Sequence, residues 1–194
     1  MNDDALSELV ARIKACTVCA ASLPLGPRPV LHVSPRARLL IASQAPGTKV
    51  HETGISFNDA SGDRLRSWLG MDRATFYDAE KVALVPMGFC YPGRLPKGGD
   101  CAPRKECAPL WRDQVLANLP DVQLTLLVGS YAQNYVLGPG RVSDRLVHVM
   151  DSLPQSFPLP HPSWRTGACV KRNPWFGEEV LPALREHVAK ALAC

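Results

Sequence analysis

Residues 39–42, 82–85 and 124–128 form three apolar runs rich in Leu, Ile and Val that do not alternate with polar positions. A strand with one wet face alternates, so continuous runs of this length predict parallel strands buried on both faces. Between them the apolar residues recur at helical spacing. Leu6, Leu9, Val10 and Ile13 mark one face of a helix over residues 4–15, and Leu65, Trp68 and Leu69 mark another over residues 62–69. Further helical patterns cover residues 109–119 and 130–137, and Val180, Leu181, Leu184 and Val188 predict a closing helix over residues 178–192. Residues 157–159 predict a short fourth strand in spite of their proline, which cannot donate to a strand ladder. Strand and helix alternate, so the predicted class is α/β: a three-layer α/β/α sandwich around a short, mainly parallel four-stranded sheet.

A chain of 194 residues suits one domain, 1–194, at the usual allotment of roughly 100–200 residues each. Hydrophobic residues make up 46% and charged residues 21%, which excludes wholesale disorder. Of the eighteen prolines, twelve gather at residues 23–35, 91–109 and 152–162, and these stretches read as ordered surface loops between elements rather than linkers. No basic run precedes an apolar stretch in residues 1–10, and nowhere do about eighteen apolar residues follow one another. Secretion and membrane spanning are therefore not expected. Seven cysteines without a leader predict a reducing, cytoplasmic compartment, where clustered thiols serve as metal ligands or catalysts. The net charge of +4 is mild, but Lys and Arg are in excess over residues 94–112, and residues 161–176 carry three of them with no acid. Such a bias suits a polyanion partner.

Ligands of a parallel α/β sheet collect beyond the carboxyl ends of its strands. The loops expected there, residues 42–59, 86–93 and 160–165, hold most of the unusual polar residues, so one crevice is predicted to see all three. Cys16 and Cys19 form a close thiol pair, and a second pair is Cys90 with either Cys101 or Cys107. Four thiolates suit either an iron–sulfur cluster or tetrahedral Zn²⁺.

This combination resembles the uracil-DNA glycosylase superfamily, particularly its four-cysteine iron–sulfur branch of bacteria and archaea, from Cys16 to about Arg165. The first motif of that branch reads Gly-Glu-Ala-Pro-Gly and the second His-Pro-Ser. Here Gln44, Ala45, Pro46 and Gly47 fall on the first, and His161, Pro162 and Ser163 on the second. Thr53 and Gly54 followed by Phe57 fall on the family's Thr-Gly and base-stacking Phe. The chain departs from the pattern at three positions: Gln44 replaces the motif Glu, Val50 a second acid, and Pro86 the Asn that reads the uracil edge.

The resemblance implies a role for each residue, beside a plainer reading. His161 would donate to the base oxygen where negative charge develops, whereas a His-Pro-Ser tripeptide by itself is a turn. Phe57 would stack on a flipped base, or is an ordinary core Phe. Ala45, Pro46, Gly47 and Ser163 would line the base. Gln44 can orient a water but cannot accept its proton, which leaves Asp59, Glu52 and His51 as substitutes. Asp59 equally suits a helix cap, and His51 a phosphate contact. Trp164 would be the wedge in the vacated stack, with Arg165, Lys171 and Arg172 on the phosphates, or the segment is a solvated basic loop with a packed Trp. The resemblance also selects Cys16, Cys19, Cys90 and Cys107 as ligands of a structural [4Fe–4S] cluster, with zinc the alternative, and leaves Cys101, Cys169 and Cys194 as plain thiols.

The expected function is thus a monofunctional DNA glycosylase of base excision repair. It would act as a monomer on DNA containing a damaged base, removing uracil or a related deaminated base by hydrolysis; no Lys is placed for Schiff-base chemistry. Two rivals remain open: a DNA-binding protein of the same fold without turnover, and a metal-dependent hydrolase using His51, Glu52, Asp59 and His161. The second lacks the tight ligand spacing such sites show.

Overall fold

The structure, a computed structural model, describes residues 3–149 and 156–193, with the side chains of Arg165, Ala168, Cys169 and Lys171 left outside the description. Four strands, β1 (Leu39–Ala42), β2 (Val82–Leu84), β3 (Leu124–Val128) and β4 (Ser156–Leu159), form one sheet in the order β2-β1-β3-β4. Every pairing is parallel.

Successive side chains of a strand point to opposite faces, which is why the apolar runs are continuous. Leu39, Ile41, Leu84, Leu126 and Phe157 face one side, where they meet α3 (Ala60–Leu69), α7 (Val142–Val147) and α9 (Leu181–Ala193). Leu40, Ala83 and Val85 face the other, against Leu6, Leu9 and Ile13 of α1 (Asp3–Lys14) and Trp111 and Val115 of α5 (Cys107–Leu116). On that same side Ala132 of α6 (Ser130–Leu137) packs near Ala42 and Leu127. The result is the expected three-layer α/β/α sandwich. Shorter helices, α2 (Thr48–Thr53), α4 (Arg73–Phe76) and α8 (Gly167–Arg172), are too brief to leave a periodic signal.

The fourth strand tolerates Pro158 because β4 is an edge, where one row of backbone groups needs no partner. The opposite edge, β2, is closed by the proline-rich segment before β1: His32 and Leu84 exchange backbone hydrogen bonds of 3.0 and 2.7 Å as an antiparallel bridge. Closing the edge removes a template for pairing with another chain. The last proline-rich stretch lies partly outside the described residues, at 152–155. The closing helix is split. Residues Phe176–Val180 form a π-helical turn before α9, since Pro182 has no N–H to continue the ladder backward.

The turn before α3 carries the tightest packing. Asp59 caps the helix by accepting from the Gly62 N–H at 2.9 Å, and the chain at Phe57 folds back over the same turn. A Cβ on Gly62 would lie 1.7 Å from the Phe57 carbonyl oxygen. Gly62→Ala should therefore lower stability by about 3 kcal/mol, since only backbone displacement relieves the overlap. Gly177→Ala, where the added methyl meets nothing within 4 Å, should shift it by less than about 0.5 kcal/mol. Urea unfolding midpoints of the two variants at constant slope check the contrast.

Candidate active site

The loops leaving β1, β2 and β4 border one open cleft of about 720 Å³. Gln44, Ala45, Pro46 and Gly47 form one wall, Phe57 and Asp59 another, and His161 and Ser163 a third, so the crevice brings the two motif turns together. Val50 and Pro86, two of the three departures from the motif pattern, also line it.

His161 is held from several directions. Thr166 Oγ1 donates to its carbonyl at 2.5 Å, and Arg64 Nη1 of α3 donates to the carbonyls of Pro162 at 3.3 Å and Ser163 at 2.5 Å. Gly129, at φ 86° just beyond β3, sits beneath the ring; a Cβ there would lie 3.4 Å from His161 Cβ. The fully buried Gln133 donates from Nε2 to the carbonyls of Leu127 at 3.2 Å and Leu159 at 2.8 Å, tying together the strand ends that carry Gly129 and the histidine turn. Burial pushes the His161 imidazole below its ordinary 6.5, against the opposing charges of Asp59 and Asp100. The ring is accordingly neutral at pH 7 and keeps one N–H to donate.

Phe57 has φ 54° and is, among the described residues, the one non-glycine in the left-handed region. Such strain, of order 1–3 kcal/mol, persists only where neighbours impose it. Its ring packs edge-on against Phe76 at 5.9 Å, Arg66 Nη1 donates to its carbonyl at 3.3 Å, and the Tyr77 hydroxyl donates to the adjoining Ser56 carbonyl at 2.8 Å. Asp59 caps α3, as one reading expects, and also lines the cleft. His51 and Glu52 are not among the cleft-lining residues. The His51 ring lies 6.0 Å from that of Tyr91, and its Nδ1 is buried without a hydrogen-bond partner. Glu52 is exposed, and its carbonyl accepts from Arg28 Nη1 at 2.9 Å.

The segment 94–100 supplies a wall that sequence reasoning did not assign. An antiparallel bridge pairs Arg94 with Asp100, and Gly98 and Gly99 turn the chain at φ 85° and 92°. Arg94, Lys97 and Asp100 thereby reach the cleft beside Lys49. Gln44 Nε2 donates to the Cys101 carbonyl at 3.1 Å, binding this segment to the first motif. The available signal was position, in the loop after the second strand; the residues themselves look like any solvated turn. Trp164, 79% exposed, stands at the rim, and Arg172 is exposed on α8. The side chains of Arg165 and Lys171 lie outside the described residues.

A second pocket lies between α1, α5 and the loop after β2. Cys16, Cys19, Cys90 and Cys107 all line it, with Phe89 and Trp111 among its apolar walls; Cys101 does not. The Phe89 N–H donates to Cys107 Sγ at 3.3 Å. Burial raises the thiols of Cys90 and Cys107, the latter to about 11, and the neighbouring cysteines push both further. Arg104 Nη2 pairs with Glu106 Oε1 at 3.0 Å beside the pocket, yet Arg104 Nε and Glu106 Oε2 are buried without partners. Among the described residues no three His, Cys, Asp or Glu side chains converge on a single-ion position.

The profile of the Uracil DNA glycosylase superfamily matches residues 31–185. That span takes in all four strands and every loop bordering the cleft, and leaves α1 and the first cysteine pair outside. Because the match covers most of the chain and the two motif turns meet across a single cleft, this chain belongs to the uracil-DNA glycosylase superfamily.

Proposed function

We propose that this single-domain chain is a monofunctional DNA glycosylase that hydrolyses the N-glycosidic bond of uracil or a related deaminated base, leaving an abasic site. One observation carries the reading: a neutral, half-buried imidazole and a strained aromatic ring line the same cleft at the strand ends. An everted base stacks on Phe57, worth roughly 1–3 kcal/mol by analogy with aromatic platforms for single strands. The His161 N–H then stabilises the anion that develops on the departing base. Neutrality matters here, because the donor has to lie fixed at the oxygen where charge appears. Lys49, Arg94 and Lys97 on the cleft, and Arg172 beyond it, supply cations for the backbone, and the exposed Trp164 fills the space the base vacates.

Gln44, Val50 and Pro86 favour a second reading, a DNA-binding protein of this fold without turnover. Incubation with duplexes containing uracil, hypoxanthine or xanthine, followed by alkaline cleavage, separates the two. Base release with strands intact until alkali is expected, and His161→Ala should slow it about 10²–10³-fold. Binding to abasic DNA without release from any duplex would leave the second reading.

The lowered His161 pKa also sets a pH dependence of stability. The unfolded chain takes up this proton near 6.5 and the folded chain only at lower pH. Across that window the unfolded state binds more protons, so stability rises with pH and is fully present above 6.5. Urea unfolding of wild type and His161→Gln at about pH 5.5 and 7.5 should show a smaller rise in the variant.

We further propose that Cys16, Cys19, Cys90 and Cys107 hold a [4Fe–4S] cluster. Four thiols around one pocket, an N–H donated to sulfur, and the buried Arg104 Nε donor without an acceptor support this. A single Zn²⁺ would need the sulfurs about 3.8 Å apart around one point. When bound, the cluster supplies cross-linking of α1 to the loop after β2, and no step of base release is assigned to it. Anaerobically purified protein should contain about four irons with visible absorbance, and Cys107→Ser should lose both. One zinc per chain and no iron would overturn the assignment.

A further inference from the structure

Hydrolytic base release needs an acceptor for the attacking water's proton, and the two positions where the motif pattern expects an acid hold Gln44 and Val50. Gln44 has no carboxylate and Val50 is buried and apolar. A carboxylate reaches the same wall from elsewhere in the chain. Beyond β2, residues 94–100 close on themselves through the Arg94–Asp100 bridge and a 2.8 Å bond from the Leu95 N–H to the Gly99 carbonyl. The Cys101 N–H donates to the Gly93 carbonyl at 2.9 Å and closes the base of this segment. Asp100 thus faces the first motif. Its Oδ2 would lie 3.5 Å, ordinary contact distance, from a Cβ built on Gly47, so the carboxylate borders the first motif at the cleft.

Gln44 joins the two parts. Its Nε2 donates to the Cys101 carbonyl, next to Asp100. A glutamate at that position has no donor when ionised and would set a negative oxygen against the carbonyl. The departure from the motif and the arrival of the new acid are therefore two halves of one arrangement. Asp59, the other acid on the cleft, is engaged as the α3 cap through the Gly62 N–H. Asp100 is exposed to the cleft solvent from which the water must come.

Resting on the glycosylase reading, we propose that Asp100 is the carboxylate that orients the attacking water and takes its proton, and that Gln44 is the positioning residue that latches Asp100 in place. The water oxygen bonds to C1′ of the everted nucleotide as the bond from C1′ to the base nitrogen breaks. The bonding pair leaves on the base, whose anion accepts from the His161 N–H. The water proton passes to Asp100 and then to the base, so the products are the neutral base and an abasic sugar carrying a hydroxyl.

Single-turnover base release and binding of a duplex with a non-cleavable abasic analogue are measured for wild type, Asp100→Asn, Asp100→Ser, Gln44→Ala and Asp59→Asn. Both Asp100 variants should slow release about 10²–10⁴-fold with duplex binding changed less than about threefold. The acidic limb of the pH–rate profile should vanish in them. Gln44→Ala should lose at least about tenfold yet keep that limb, because the carboxylate is still present. The other ionisable groups on the cleft are His161, Asp59, Lys49, Arg94 and Lys97, of which Asp59 is the second carboxylate and serves as the comparison. Wild-type rates in both Asp100 variants, binding lost in step with rate, or an acidic limb removed by Asp59→Asn alone would overturn the proposal and leave the glycosylase reading intact. A wild-type rate in Gln44→Ala would remove the latch. Wild-type protein that releases no base would overturn both readings together.

Discussion

All four strands of this sheet run the same way, so every strand ends on one edge and every loop that leaves it opens to the same side. That constraint is what turns residues more than a hundred positions apart into neighbours. Parallel pairing requires long crossovers, crossovers require helices on both faces, and helices on both faces require strands that are apolar at every position. The chain meets these demands with side chains as simple as Leu, Ile, Val and Ala, leaving the edge free for chemistry.

The polar groups near that edge are mostly occupied in holding one another. Gln133 spans the carbonyls at the ends of β3 and β4, Arg64 reaches from α3 to the carbonyls after His161, and Gln44 binds the first motif to the segment after β2. Buried polar groups are costly unless partnered, so such contacts fix a single arrangement of loops that otherwise have few apolar contacts. A rigid frame is also what a donor aimed at a developing charge requires.

Two regions of different character therefore share the molecule. The cleft is open and carries Lys49, Arg94 and Lys97 beside Asp59 and Asp100, and its cations suit a long anionic partner. The four-cysteine pocket is apolar and lies between α1 and α5, where it joins the amino-terminal helix to the loop after β2. The first cysteine pair lies outside the span matched by the superfamily profile and the second pair inside it.

Fold class, strand positions, the parallel arrangement and both motif turns were legible along the chain, because apolar runs and Pro- or Gly-bearing turns act locally. That Cys16, Cys19, Cys90 and Cys107 gather at one pocket agrees with the choice the family resemblance made where spacing alone left Cys101 and Cys107 open. Three things were not legible. That β4 accepts Pro158 depends on its being an edge, a property of strand order. That Asp59 both caps α3 and borders the cleft depends on where the helix begins relative to β4. That His51 and Glu52 turn from the cleft while Asp100 turns into it depends on how a six-residue helix and a glycine turn are oriented, which no periodicity encodes. Burial pattern is written residue by residue, whereas the direction of a polar side chain in a loop is set by whichever distant backbone it meets.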